Sequence, residues 1–399
     1  MAVSAKSLDP KKGPVWAEIN LRAITGNFCA IRKHIGAHPK ILAVVKADAY
    51  GHGAPQVARA LGRAGVDCFG VTCTREGAEL RAAGIRQPIL VLTGFWPGEE
   101  SRQLEYGLTP SITCVEQVKW LERAAAKHAR SAKKASRTGH VAFHLKIDTG
   151  MNRLGLPCTD VRRFCEALSD CRHLKLAGVF THFAAAEDFS SGQTEEQIRS
   201  FACALGQLEK AGVQAGTVHM ANSAAIAARR ETWRDMVRPG ALLYGYHQFY
   251  EPPQRRGEFQ KLLPLQPALA LRARIVSLKD VAAGTAVGYN ARFVTARPSR
   301  IAVLAAGYAE GVVRLLTNRG KVMIHGRCAP LVGTISMDLA MLDVTEVPEA
   351  RIGDVVTIVG AQPTANGDSL YADDVAHELG TVTSDLLCAI GRRVPRVFV

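Results

Sequence analysis

The apolar segment "ILAVVK" ends on Lys46 and leads directly into the glycine-rich turn "ADAYGHG". An amine that is partly removed from water beside other cations has a lowered pKa, so it can condense with an aldehyde. The other interpretation is a strand-end lysine whose ammonium group reaches water past its own apolar stem. Position alone favours this second interpretation, so the case for chemistry depends on the other polar segments.

Four further polar segments follow, end or lie within predicted strands. "TGMNR" carries Arg153, "THF" carries His182, "ANSAA" carries Ser223 and "VRPGA" carries Arg238. In a barrel these groups share the rim formed by the C-terminal ends of the strands, where active sites lie. A lysine and two arginines on one rim indicate an anionic ligand held near an amine.

Two of these segments also offer contacts to a phosphate. Ser223 lies at a strand-to-helix junction, and Gly240 is followed by the backbone amide of Ala241. Hydroxyl and backbone N–H groups in such positions bind phosphate well, although each segment taken alone is equally compatible with an ordinary turn. A lysine facing a phosphate-binding site points to pyridoxal 5'-phosphate (PLP) as the cofactor.

The elements that position these residues alternate between two kinds of segment. Short apolar, β-branched stretches alternate with stretches of helical periodicity, which predicts eight βα units and a (β/α)8 TIM barrel of the α/β class. The predicted strands are "ILAVVK", "DCFGV", "PILVLT", "LTPSI", "VAFHLKID", "LKLAGVF", "TVHM" and "MVRPGALLYG". The predicted helices include "APQVARALGRAG", "TREGAELRAAG", "CVEQVKWLERAAAKH", "TDVRRFCEALSD" and "TEEQIRSFACALGQLEKAG", several of which end in glycine.

The pattern changes at "YHQFYEPPQRRGEFQKLLPLQP", where proline and polar residues indicate a linker. We therefore assign residues 15–250 to a PLP-binding barrel and residues 251–399 to a second domain made mainly of β-strands. Its predicted strands include "ALALRARIVSLKDV", "SRIAVLAAGY", "KVMIHGRCAPLVG", "LAMLDV" and "VVTIVG", and its clearest helix is "YADDVAHELG".

The composition is that of an ordinary globular protein, with 47% hydrophobic and 22% charged residues. No apolar run approaches the roughly 18 residues of a membrane helix, and the N-terminal segment lacks the apolar core of a secretory signal. The ten cysteines are scattered and include no CxxC pair. This pattern favours reduced thiols over disulfides or a metal site, so we expect a cytoplasmic protein without membrane association or bound metal.

The net charge of +14 raises a third possibility, a nucleic-acid-associated protein. The densest basic cluster, Lys127 to His140, is rich in alanine and serine. It lacks the aromatic residues that nucleic-acid sites commonly place beside basic ones. We interpret this cluster as a solvated loop and expect no nucleic-acid partner.

Together the motifs resemble the signature segments of the alanine racemase family, in order and in spacing, over nearly the whole chain. These motifs are "AVVKADAYGHG", "KIDTGMNRLG", "GVFTHFA", "HMANSAA", "MVRPGALLYG", "AVGYNARF", "AAGYAEG", "GTISMD" and "GRRVPRVF". The resemblance implies a PLP-dependent amino-acid racemase with a barrel and a β domain. It also implies a head-to-tail homodimer whose active sites combine residues of both subunits.

The resemblance implies a two-base mechanism. Lys46 would bond to the cofactor and then exchange the α-proton of alanine on the D side, while Tyr289 would do so on the L side from the partner subunit. Two bases are needed because a single base on one face returns the proton without inverting the centre. A tyrosine with a pKa of about 10 is a poor base at neutral pH, so His182 and Arg238 look like members of a polar chain that favours its anion.

By the same resemblance, Arg238 faces the pyridine nitrogen of the cofactor. Many PLP enzymes place a carboxylate there, which keeps the nitrogen protonated and makes the ring a strong electron sink. An arginine leaves the nitrogen unprotonated and favours proton transfer over decarboxylation or transamination. The alternatives are a decarboxylase of the same architecture, which would carry a carboxylate at this position, and a non-catalytic PLP carrier, which would have no use for Tyr289 or Met337.

Four residues match the phosphate contacts of the family: Tyr50, Ser223 and the backbones of Gly240 and Ala241. Ser384, in "GTVTSDLLCAIG", stands where many members have a tyrosine that reaches the phosphate and narrows the side-chain pocket. A serine leaves more room and adds a hydroxyl, so we predict racemisation of alanine with appreciable activity on serine. The alternative is that water or a neighbouring side chain fills the space.

Arg153 and Met337 resemble the family's contacts to the substrate carboxylate. Lys146 matches a lysine that the family often carries as a carbamate, which would orient Arg153. Asp338 resembles a further contributor from the partner subunit. Asp48 stands where asparagine is more common, and we expect this difference to be tolerated.

Overall fold

The first half of the chain forms a barrel of parallel strands, as predicted. The computed structural model describes residues 13–131, 140–360 and 370–399. The strands of this half are β1 (Val15–Ile19), β2 (Lys40–Val44), β3 (Cys68–Val71), β4 (Ile89–Val91), β5 (Ser111–Ile112), β6 (Val141–Asp148), β7 (Leu156–Pro157), β8 (Leu174–Phe180), β9 (Thr217–His219) and β10 (Met236–Val237). Eight of them follow one another in the order β4, β3, β2, β10, β9, β8, β6, β5, and a parallel bridge between Leu90 and Thr109 brings the two ends of the sheet together.

Helical segments connect the strands of the barrel. They are α1 (Leu21–Ile35), α2 (Lys46–Tyr50), α3 (Ala54–Arg63), α4 (Thr74–Ala82), α5 (Glu100–Glu105), α6 (Glu116–Ser131), α7 (Val161–Ser169), α8 (Gln193–Lys210) and α9 (Ser223–Ala228). The glycines predicted to follow α3, α4 and α8 all have positive φ angles, of 91°, 84° and 73° at Gly65, Gly84 and Gly212. Residues 127–131 of the basic cluster continue α6 instead of forming a loop, and residues 132–139 lie outside the described residues.

The second half is dominated by β-strands. The strands are β11 (Leu269–Val281), β12 (Ala286–Val287), β13 (Phe293–Val294), β14 (Ser299–Leu304), β15 (Lys321–Ile324), β16 (Arg327–Val332), β17 (Ala340–Asp343), β18 (Val355–Val359) and β19 (Arg396–Phe398). The helices are α10 (Gln254–Leu262), α11 (Ala372–Glu378) and α12 (Thr383–Cys388). The pairs among β11 and β14–β18 are antiparallel, and β12 and β13 form a separate two-stranded ribbon.

One strand does not follow the predicted assignment of residues 15–250 to the barrel. The strand β1 does not belong to the barrel but pairs antiparallel with β11 and parallel with β19, so that Ala17 lies between Leu271 and Arg396. Its apolar residues are buried there, and the Ala17 N–H donates to Pro395 O at 2.9 Å. The two neighbouring strands of the β domain thus supply the hydrogen bonds that the buried backbone groups of β1 require.

The interior of the barrel is packed with side chains, as is usual for this architecture. Leu42, Val44, Leu90, Phe180 and Met236 form its apolar centre. Polar side chains continue the same strands toward their C-terminal ends, so the fold directs them to one end of the barrel.

Candidate active site

A cavity of about 450 Å³ opens at the C-terminal ends of the barrel strands. Cofactor and ligand pockets commonly enclose roughly 300–1,000 Å³. Ten of the thirteen residues singled out from the sequence line this cavity: Lys46, Tyr50, Lys146, Arg153, His182, Ser223, Arg238, Gly240, Ala241 and Ser384.

Lys46 begins a short turn of unusual hand. Residues 47–50 all have φ angles between 51° and 55°, so four consecutive residues with side chains form a left-handed turn. Each costs roughly 1–2 kcal/mol relative to a right-handed turn, so neighbouring contacts must stabilise the segment. The carboxylate of Glu76 supplies such contacts, because it accepts from the N–H groups of Ala47 and Thr72, both at 2.7 Å. Asp48 accepts from Ala54 N at 2.7 Å, so it too holds the turn.

The amine of Lys46 has a lowered pKa. The largest cause is burial, followed by the positive charge of Arg153, and the carboxylate of Glu76 opposes them. A lowered pKa makes the neutral, nucleophilic form of the amine more accessible near neutral pH.

Arg238 is buried and held on several sides. Its Nη2 donates to Thr181 O at 2.6 Å and to Met220 O at 2.9 Å, and its Nη1 lies 2.9 Å from Nδ1 of His219. Burial lowers the pKa of the guanidinium to about 9, so the group still carries its charge at neutral pH. The side chain is therefore a fixed hydrogen-bond donor at the edge of the cavity.

His182 stands beside Arg238, with its Nδ1 3.5 Å from Nη2 of the arginine. Burial and the Arg238 charge hold the pKa of His182 well below its usual value. Its imidazole is accordingly neutral at physiological pH.

Ser223, Gly240 and Tyr50 meet at one side of the cavity. The Ser223 hydroxyl accepts from Gly240 N at 2.9 Å. A Cβ atom on Gly240 would lie only 2.5 Å from the hydroxyl oxygen of Tyr50, so the glycine lets this side chain approach the backbone. A hydroxyl from the turn after Lys46 and a serine hydroxyl thus converge on one backbone loop, which fits a phosphate contact.

Arg153 and Lys146 form a cationic part of the cavity. Asp148 orients the Arg153 segment by accepting from the backbone N–H groups of Gly150, Asn152 and Arg153, all at 3.0 Å. Burial, Arg238 and Arg153 together lower the pKa of Lys146 to about 8. This side of the cavity suits an anionic group such as an amino-acid carboxylate.

Tyr289, Met337 and Asp338 do not line this cavity. Tyr289 and Met337 expose 66% and 52% of their surface on the β domain, and Asp338 pairs with Arg393 at 2.5 Å. The Thr334 hydroxyl donates to Tyr289 O at 3.2 Å, so the turn that carries Tyr289 and the segment that leads to Met337 are connected. These three residues therefore lie on the β domain outside the cavity that contains Lys46.

Three residues that shape the cavity or contact its lining were not predicted from the sequence. Glu76 reads as an ordinary acidic residue in the first turn of α4, His219 as a strand residue in "TVHM", and Glu187 as part of a loop. The half-buried Glu187 lines the cavity, and burial raises the pKa of its carboxyl. Of the three, only His219 had a signal in the sequence, namely a histidine within a predicted strand.

The fold and the cavity together are those of an enzyme. The barrel carries a lysine of lowered pKa at its rim beside an anion site lined by arginines, and a β domain is attached to it. Two family descriptions match the chain, "Alanine racemase, N-terminal domain" over residues 19–248 and "Alanine racemase, C-terminal domain" over residues 268–398. The alanine racemase of Geobacter sp. (strain M21) is 39% identical over 97% of this chain and 99% of that protein.

Solved structures agree with this assignment. An alanine racemase of Clostridium difficile 630 has a TM-score of 0.86 and 32% identity, covering 97% of this chain and 96% of its own. Alanine racemase from Bartonella henselae, whose structure has covalently bound pyridoxal phosphate, has a TM-score of 0.82 and 28% identity, covering 97% of this chain and all of its own. The chain belongs to the alanine racemase family, and it is a PLP-dependent amino-acid racemase.

Proposed function

We propose that this racemase interconverts L- and D-alanine by a two-base mechanism in a homodimer. The observation that carries the proposal is the buried guanidinium of Arg238, which lines the same cavity as Lys46. In the part of the chain that the structure describes, the side-chain hydrogen-bond partners of this guanidinium are histidines, and none of them is a carboxylate. This arrangement suits proton transfer and disfavours a decarboxylase.

The cavity residues fit PLP. Lys46 would bond to its aldehyde carbon, Arg238 would donate to its pyridine nitrogen, and Tyr50 with Ser223 and the backbones near Gly240 would hold its phosphate. When bound, PLP withdraws electrons from the amino acid and acidifies the α-hydrogen. Ser384 would lie near the phosphate, since it lines the same cavity.

Lys46 would be the base on one face of the α-carbon. Its amine can take up a proton because burial and Arg153 make the neutral form accessible. The guanidinium of Arg153 would bind the carboxylate of the amino acid. We further propose that Lys146 carries a carbamate, because an amine with a pKa near 8 is partly neutral and able to react with CO₂. The added negative charge would then hold Arg153 in place.

Tyr289 of the partner subunit would be the base on the other face, with Met337 and Asp338 beside it. All three are absent from the cavity of their own chain, and the exposure of Tyr289 leaves its hydroxyl accessible to a second copy. A neutral His182 next to the charged Arg238 would supply hydrogen bonding and positive potential for a phenolate.

Two narrower proposals concern substrate range and location. The serine at position 384 lines the cavity with Val382 and Thr383, which supports activity on serine besides alanine. All ten cysteines are free thiols, which supports a reducing, cytoplasmic location. None of the helices in residues 13–131, 140–360 and 370–399 is long and apolar enough to cross a membrane.

The test is exchange of the α-proton in D2O, followed by NMR, together with chiral chromatography. Tyr289→Phe is expected to keep exchange on D-alanine and to lose both exchange on L-alanine and racemisation. Lys46→Ala should lose exchange on both enantiomers and the covalent attachment of PLP. Tyr106→Phe changes an exposed tyrosine of the barrel and should behave as wild type. Equal loss of exchange on both enantiomers in Tyr289→Phe would argue against the two-base assignment.

A further inference from the structure

Two histidines continue the hydrogen bonding of Arg238 down the inside of the barrel. Nη1 of Arg238 lies 2.9 Å from Nδ1 of His219, and Nε2 of His219 lies 2.9 Å from Nδ1 of His144. Arg238 directly follows β10, His219 ends β9, and His144 lies within β6. The three side chains form a continuous row that leads away from the cavity.

The hydrogens in this row have only one consistent arrangement. A guanidinium has donors and no acceptor, so Nδ1 of His219 must accept from Arg238. In a neutral imidazole the other nitrogen then carries the hydrogen, and Nε2 of His219 must donate to Nδ1 of His144. Burial, followed by the charge of Arg238, lowers the pKa of both rings, to about 4 for His144 and well below the usual value for His219. Both rings are therefore neutral, and each bond points away from Arg238.

Packing holds both rings in place. Phe180 stacks on His219 with 4.8 Å between ring centroids and 10° between ring planes. A Cβ atom on Gly178 would lie 2.5 Å from Cε1 of His144 and 2.7 Å from its Nδ1, so only a glycine leaves room for this ring. Phe180 thus packs on one face of His219, and the backbone at Gly178 lies against the ring of His144.

His144 reaches a second cavity, of about 220 Å³, at the opposite end of the barrel. Residues at the N-terminal ends of the strands line it, among them Lys40, Asp67 and Thr217. The row thus connects the two ends of the barrel interior, and His144 is its last acceptor.

We propose that His144 is a positioning residue that acts through His219 to fix the guanidinium of Arg238. This inference rests on the proposed role of Arg238 at the pyridine nitrogen. Without an acceptor at position 144, the Nε2–H of His219 is buried without a partner, and the ring moves to find one. Because the same ring accepts from Arg238, the guanidinium then loses one of its fixed contacts.

Two substitutions distinguish the role of His144 as a hydrogen-bond acceptor from its role in filling space. His144→Phe keeps a ring of similar size against Gly178 and removes the acceptor. His144→Asn places its side-chain oxygen near the position of Nδ1 and restores the acceptor. A residue that serves only to fill space would be replaced better by phenylalanine than by asparagine.

The experiment combines NMR of the holoenzyme labelled with ¹⁵N-histidine and two activity measurements. In wild type, His219 should be protonated at Nε2 alone, with a downfield N–H resonance protected from exchange. In His144→Phe this resonance should lose its protection, and pyruvate formation by transamination should rise about tenfold relative to racemisation, as expected for the loss of one buried hydrogen bond. His144→Asn should stay within about twofold of wild type in this ratio.

The outcomes are decisive in both directions. A hydrogen on Nδ1 of His219 in wild type overturns the proposal, even if His144→Phe does not fold. Equal ratios of transamination to racemisation in His144→Phe and wild type also overturn it, as does an equal rise in both variants. If wild type does not racemise alanine, the proposed function fails, whereas the NMR readout still decides the direction of the row.

Discussion

Nε of Arg396 donates a hydrogen bond of 3.0 Å to the carbonyl oxygen of Gly51, the first residue after the left-handed turn of Lys46. The other guanidinium nitrogens donate to Ile390 O at 3.0 Å, Gly391 O at 2.7 Å and Val394 O at 2.8 Å. One side chain of β19 therefore fastens the end of the β domain to the turn that carries the reactive lysine.

Replacing this side chain by lysine should loosen the turn. Lysine has one ammonium group and cannot reach four carbonyls, so Arg396→Lys should lower the free energy of unfolding by about 2 kcal/mol and weaken PLP binding about tenfold. Urea unfolding and titration of the apoenzyme with PLP measure the two effects.

Arg81 provides the matched control, because it also donates to four backbone carbonyls, those of Ile85, Gln87, Tyr106 and Gly107. Arg81→Lys should lose comparable stability and keep PLP affinity. Equal PLP affinities in Arg396→Lys and wild type would show that the turn does not depend on this contact.

Gly240→Ala should weaken PLP binding at least tenfold, because the added methyl lies 2.5 Å from the Tyr50 hydroxyl and must push it away. Gly206 in α8 is the control, since a Cβ there meets nothing within 4 Å. Gly206→Ala should bind PLP as wild type does and should be more stable by roughly 1 kcal/mol. Absorbance titration with PLP compares the three proteins, and unchanged affinity in Gly240→Ala would remove Tyr50 from the phosphate contact.

Ser384→Tyr should narrow the cavity and select against the larger substrate. We expect kcat/KM for serine to fall at least tenfold while kcat/KM for alanine changes less than threefold, because a filled pocket discriminates by the size of the side chain. Ser384→Ala is the companion variant, since it keeps the space and removes the hydroxyl. If the wild-type enzyme has no activity on serine, the prediction is wrong, and water or a neighbouring side chain fills the space beside Ser384.

Stability should fall in mild acid because of buried histidines. His52 is fully buried, and burial, followed by the charge of Arg396, lowers its pKa to about 4. Between the unfolded pKa of 6.5 and this value the unfolded chain binds the additional proton. The contribution of His52 is therefore complete above pH 6.5 and declines toward pH 4, by about 1.4 kcal/mol per pH unit.

His52→Gln should accordingly reduce the slope of unfolding free energy against pH in this range, measured by urea unfolding at one protein concentration. The exposed His38 is the control, and His38→Gln should leave the slope as it is. A slope that stays unchanged in His52→Gln would mean that the buried ring takes up a proton in the folded state.

The sequence was sufficient to place Lys46, Arg153 and Arg238 together, because strand ends of a barrel meet at one rim whatever the loops do. It was not sufficient to place β1, since an apolar segment such as "VWAEI" can form a buried strand without showing which sheet it joins. The hydrogen bond between His219 and His144 could not be predicted either, because the two residues are far apart in the sequence and only the folded barrel brings their rings together.

The pairing of β1 with β11 and β19 has a consequence for synthesis of the protein. A ribosome releases Val15–Ile19 before any barrel strand, while its two partners emerge only after the barrel has been made. The nascent chain must therefore keep an apolar strand unpaired while the barrel forms, and such a segment is open to chaperones and to aggregation. Emergence of β19, and with it Arg396, then adds the second partner of β1 and the contact to the lysine turn.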